Sequence, residues 1–133
     1  MKTFATFVLA LAGLGFLGFG AWLVVDPIGG LAAVGVAATG PAGVIELRAF
    51  YGGLELGLGA YLLACARRPD WRRPGLWLTA LANGGIGLTR LAGIAATGVF
   101  TPFFAWALAW ELGFASLALL GLRARPTPPH PTP

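Results

Sequence analysis

Five ionisable residues fall inside stretches that are otherwise apolar. Glu46, Arg48 and Glu55 lie in 44–66, Arg90 in 75–97 and Glu111 in 102–122. Carboxylates and guanidinium groups brought together can grip a polar head group, carry a proton or do paired acid/base work. In hydrocarbon the same groups are costly. An Arg, Lys or Asp at mid-membrane is unfavourable by roughly 2.5–3.5 kcal/mol. A chain that keeps five of them needs somewhere polar to point them.

The surrounding composition sets that hydrocarbon context. Of 133 residues, 57% are apolar and 11% charged, about half the usual charged share of a soluble domain. So few charges cannot cover a soluble protein of this size. Four stretches reach the roughly 20 apolar residues that a span needs, 4–25, 44–66, 75–97 and 102–122. The connections 67–74 and 98–101 are short, so neighbouring helices are expected to be antiparallel. The predicted fold is all-α, a four-transmembrane-helix antiparallel bundle in one membrane domain over 1–122.

Orientation follows from the basic residues. Lys2, Arg67, Arg68, Arg72, Arg73, Arg123 and Arg125 all fall on one side of a four-span chain, and the other two connections hold none. Both termini are expected to be cytoplasmic, in a multi-pass protein of the cell inner (plasma) membrane. The net charge of +4 is spent in these loops, so nucleic acid is not an expected partner; the lipid bilayer is. Ala10-Leu11-Ala12 offers a small-residue cleavage site, but the apolar run continues past it, and span one is expected to be retained.

The outer connection, 26–43, is rich in Gly, Ala and Val, and a short interfacial helix is expected over 28–38. The segment 123–133 is proline-rich and expected to be a disordered cytoplasmic tail, with His130 solvated in it. Cys65 is the only cysteine and reads as a small apolar filler. Trp71 and Trp77 flank the basic loop as interface anchors.

Helical spacing sorts the faces. Arg48, Gly52, Glu55 and Gly59 form one stripe of span two, and Gly53, Gly57, Ala60 and Ala64 a second, roughly opposite. The second contains G-x-x-x-G, which predicts close helix packing, and makes span two central with neighbours on both sides. Asn83, Gly87, Arg90 and Ile94 share a stripe of span three. In span four, Ala107, Glu111, Ala115 and Ala118 share one, and Ala105, Ala109 and Gly113 another. Span one carries glycines and no ionisable residue, so it reads as scaffold. Trp106 and Trp110 lie deeper in span four, as packing or cavity residues.

At about 1.5 Å of rise per residue, Glu55, Arg90 and Glu111 come within about 6 Å of depth in the outer half of the bilayer. Arg90 is expected between the two glutamates, with Arg48 nearer the mouth and Glu46 at the rim. Tyr51, Asn83 and Trp110 are secondary candidates. Three acids and two bases leave one negative charge, so one glutamate, Glu55 or Glu111, is expected to hold a proton. Glu55-Leu56-Gly57 and Glu111-Leu112-Gly113 also repeat a motif, as a duplicated hairpin would.

Glu46-Leu47-Arg48-Ala49-Phe50-Tyr51-Gly52-Gly53, then Glu55 and Gly59, resembles the motif of a bacterial four-helix membrane family known only as a domain of unknown function. Arg90-Leu91, Gly93, Gly98 and Glu111 extend the match, and Thr97 stands where that family often has an acid. The family is similar to the DoxX/DoxD-like superfamily, some of whose members are subunits of quinone-linked redox systems. The resemblance implies a four-helix membrane fold and points to Glu46, Arg48, Glu55, Arg90 and Glu111.

Three functions compete. The first is binding of a small amphiphile, a quinone or lipid, or service as an accessory subunit of a membrane redox system. The second is a proton-coupled small-solute transporter, which four helices would need a homo-oligomer to build. The third is an acid/base enzyme such as an isomerase of an apolar substrate. No metal-ligand spacing, nucleophile elbow or phosphate loop occurs, so no metal or cofactor is expected. No catalytic residue is assigned.

Overall fold

The computed structural model describes residues 2–123, and the side chains of 3–123. The expected tail over 123–133, with Arg125 and His130, lies outside the described residues apart from Arg123. Every regular element among the described residues is helical. Helix α1 is Lys2–Val25 and α2 is Pro27–Leu31, followed by a 3₁₀ turn at Ala32–Val34. Helix α3 is Pro41–Leu47. It runs through a π turn at Arg48–Gly53 straight into α4, Leu54–Arg67. A 3₁₀ turn at Pro69–Trp71 leads to α5, Arg72–Thr97, and then comes α6, Pro102–Arg123.

Local chemistry sets the breaks. The Gly29 N–H donates to the Asp26 carboxylate at 2.9 Å, and Pro27 occupies the first turn of α2, where its missing N–H costs nothing. Thr101 caps α6 in the same way, accepting from the Phe104 N–H at 3.3 Å. Gly35 and Gly98 both have φ of 72°, the left-handed region that glycine enters without a Cβ clash. Gly35 also corrects an expectation. The short helix predicted over 28–38 stops at Val34, and 36–40 has no regular structure. Its first turns still dock, because Pro27, Gly30 and Leu31 are buried.

Two helix pairs make the bundle. Helix α1 lies along the π turn and α4, and α5 lies along α6. The core between them is apolar, with Val8, Leu9, Ala12, Leu62, Cys65, Leu76 and Ala118 all nearly or fully buried. The α1 pairing rests on glycine. A Cβ on Gly59 would stand 2.7 Å from the Gly13 carbonyl oxygen and 2.8 Å from the Leu17 nitrogen. A Cβ on Gly20 would stand 2.9 Å from the Gly52 carbonyl oxygen. Backbone atoms occupy the space on both sides, so no side chain fits.

The G-x-x-x-G expectation is therefore corrected. Gly57 faces open space, and Gly53 meets only its own helix. The packing glycines, Gly52 and Gly59, lie instead on the stripe that carries Arg48 and Glu55. Span two is accordingly not central. It packs mainly on α1 and touches α5 only along a shorter stretch.

Thr3–Val25, Pro41–Arg67 and Pro102–Arg123 are long and apolar enough to cross a membrane, which marks the chain as a membrane protein. Helix α5, 26 residues long, is as long but is diluted by Asn83, Arg90 and its glycines. Gly59→Ala is expected to destabilise the protein by about 1–3 kcal/mol, as overpacking does. Gly57→Ala, inside a helix with open space around it, should instead stabilise by about 0.5–1 kcal/mol. Reversible unfolding in mild detergent measures both.

Candidate functional site

Arg90 leaves α5 toward α6 and meets Glu111. Its Nε donates to Glu111 Oε2 at 3.0 Å, and its Nη2 donates to Oε1. This is the two-pronged geometry in which guanidinium and carboxylate match best. The side chains are 23% and 10% exposed, so the pair is largely removed from solvent. Gly87 makes the approach possible, because a Cβ there would meet Leu112 at 2.8 Å and Glu111 at 3.2 Å. The predicted stripes of spans three and four thus face each other.

Two residues not singled out from the sequence complete the surroundings. The Arg90 guanidinium lies 5.8 Å from the ring centre of Phe103 and 5.6 Å from that of Phe104. Cation–ring attraction at this range adds to the ion pair. The signal was present, since Phe104 and Phe103 stand seven and eight residues before Glu111, two helical turns away on its face.

Glu55 enters from the opposite pair. It lies within electrostatic range of Glu111. Its Oε2 is buried and has no hydrogen-bond partner among the described residues. Tyr51, in the π turn, lies within electrostatic range of Arg90. The turn is wide enough that the Leu54 N–H reaches back to the Ala49 carbonyl, five residues away. Single π turns inside α-helices recur at functional sites.

The other predicted residues go elsewhere. Arg48 is exposed, and its Nη2 donates to the Val25 carbonyl at 3.4 Å. It caps the C-terminus of α1, where a cation is favoured, and does not join Arg90. Glu46 is exposed. Asn83 is buried, and its Nδ2 donates to the Thr79 carbonyl of its own helix at 3.1 Å. Trp110 packs on Phe114, ring centres 4.6 Å apart, and covers Gly15, where a Cβ would strike its ring. With Trp106 it lines an open apolar groove of about 360 Å³ between α1 and α6. Among the described residues, no group of His, Cys, Asp and Glu could hold a metal ion.

The cluster is therefore Arg90 and Glu111 as a fork, Phe103 and Phe104 beside the cation, and Glu55 with Tyr51 from the other pair. Arg90 is paired with Glu111 alone, and Glu55 stands in range of Glu111 rather than on the far side of the guanidinium, where the sequence put it. Such a site can accept a hydrogen bond at Glu55 and donate one from the unused N–H groups of Arg90.

Fold and cluster together define an all-helical membrane protein with an ion pair held inside its bundle. The family model of a domain of unknown function, DUF4345, matches residues 4–122, and the chain belongs to that family. No curated protein and no solved structure matches it.

Removing one partner of the pair leaves the other charge without its counterpart. Arg90→Met alone or Glu111→Leu alone is expected to cost about 3 kcal/mol, and the double variant less than either. Unfolding of the three variants in detergent checks the order.

Proposed function

We propose that the chain is a four-span protein of a bacterial inner membrane, with both termini cytoplasmic, that binds the polar head of a small amphiphile in the outer half of its bundle. Helix α5 is the fourth span in this reading. Arg90, the charge that lowers its apolarity, is neutralised by Glu111 rather than offered to lipid. The observation that carries the binding role is the Glu55 carboxylate, whose Oε2 is buried with its acceptor capacity unused.

A head group that fits must bring a donor for Glu55 and an acceptor for Arg90. A hydroxyl does both. A flat ring carrying hydroxyls, as in a quinol, also suits Phe103 and Phe104. In this reading the family is related to DoxX/DoxD-like proteins, and the chain takes the same ligand class and a place beside a membrane redox enzyme. Glu55 also supports a second reading, proton-coupled transport, because it is a carboxyl among apolar helices without a cation of its own among the described residues. That reading requires a homo-oligomer to build a pore.

Native mass spectrometry of gently purified protein tests the binding role. A small amphiphile should be retained by the wild type. Glu55→Gln and Arg90→Ala should each reduce retention about tenfold, the effect of roughly 1.4 kcal/mol. A wild type that retains nothing, or variants that retain as much, would contradict it. Proton flux in proteoliposomes that is lost in Glu55→Gln would favour transport.

A further inference from the structure

The two helix pairs are packed to different depths. The α1–α4 pair stays packed toward its outer end, where Gly20 and Leu23 of α1 and Gly52 of the π turn are buried. The α5–α6 pair does not. Thr79 and Asn83 of α5 and Phe114 and Ala118 of α6 are buried, but of the described residues from Leu88 to Trp110 none is. The outer half of this hairpin stands on the bundle without being packed into it. In lipid that arrangement can move cheaply, because hydrocarbon covers an apolar face as well as another helix does.

Glycines mark where it would bend. Gly84 and Gly85 lie about 18 Å inward from the end of α5 at Thr97, and Gly113 about 17 Å inward from the start of α6 at Pro102. A Cβ added at Gly85 or Gly113 would meet no described neighbour within 4 Å, and one at Gly84 would meet only Ala115 at an ordinary 3.7 Å. Close packing therefore does not require these glycines, unlike Gly59 or Gly87. Inside a helix each costs about 0.5–1 kcal/mol against alanine, and glycine pairs are places where helices kink. The ties around Arg90 lie outward of all three. Gly87 packs on Leu112, and Arg90 holds Glu111 beside Phe103 and Phe104. The two outer halves are thus one piece.

The piece faces the cluster. Glu55 Oε2 is covered by the protein's own atoms and has no hydrogen-bond partner among the described residues, so anything that answers it enters only when a wall moves. The α1–α4 wall is in backbone contact at Gly13, Gly20, Gly52 and Gly59 and is fixed. The outer α5–α6 hairpin is the wall left free. Tyr51 of the π turn, within electrostatic range of Arg90, is the opposite lip.

We infer that the outer halves of α5 and α6 form a lid, hinged at Gly84, Gly85 and Gly113, that swings as one body to open and close the outer half of the bundle. It carries Arg90, Glu111 and the two phenylalanines toward or away from Tyr51 and Glu55. The motion goes beyond the binding role and stands whether the cluster takes an amphiphile or a proton.

A bend of about 20° over the 18 Å arm moves its tip by about 6 Å. Double electron–electron resonance on the full chain in lipid nanodiscs reads it, in a Cys65→Ala background. One spin label goes at Val99→Cys on the tip and one at Ile45→Cys on α3, both exposed positions. Phe7→Cys with Ile45→Cys is the reference pair across the α1–α4 unit. The tip pair should give a distance distribution about 6 Å broader than the reference. Gly84→Ala, Gly85→Ala and Gly113→Ala together should narrow it to the reference width, and Gly85→Ala with Gly113→Ala answers the question if the triple variant does not fold. A wild-type tip pair as narrow as the reference would overturn the lid. So would a distribution that stays broad once the glycines are replaced, since the spread would then come from the 98–101 connection alone.

Discussion

A guanidinium among apolar helices has to be answered by a carboxylate, and much of this bundle is arranged around one such answer. Arg90 and Glu111 tie α5 to α6 in a two-pronged pair. Gly87 clears the path between the helices, and Phe103 and Phe104 stand beside the cation. With the charge cancelled, a helix carrying an arginine can sit beside three that are plainly apolar enough to cross a membrane. The other helix pair is held without charge. Gly13, Gly20, Gly52 and Gly59 let α1 approach α4 to backbone contact, which replaces the hydrophobic driving force that lipid removes.

Glu55 belongs to both arrangements. Its stripe is the glycine seam against α1, and its carboxyl lies in range of Glu111. Backbone-close packing at Gly52 and Gly59 and the buried Glu55 oxygen therefore share one stripe of helix, next to a π turn that widens the backbone.

Much of this was legible in the residues. The long helices follow from hydropathy, and the Arg90 and Glu111 faces from spacing of three and four with small neighbours. Hairpin pairing was hinted by the repeated Glu-Leu-Gly, which places Glu55 and Glu111 on the second long helix of each pair. Three features were not legible. G-x-x-x-G at Gly53 and Gly57 is a motif of composition, and which glycine face packs depends on where α1 lies. Arg48 looked like a member of the cluster because periodicity gives a face and a depth but not a partner. The free carbonyl of Val25 took it. The outer helix ends early because Gly35 adopts positive φ, which no periodicity reveals.

The most direct measurement is the Arg90–Glu111 separation in a lipid bilayer. Solid-state NMR of the protein with ¹⁵N-labelled arginine and ¹³C-labelled glutamate reads it, with Arg90→Lys assigning the signal. The account predicts a strong dipolar coupling between one guanidinium and one glutamate carboxyl, and slow exchange of that guanidinium with water. A rapidly exchanging Arg90 with no carboxyl coupling would contradict it.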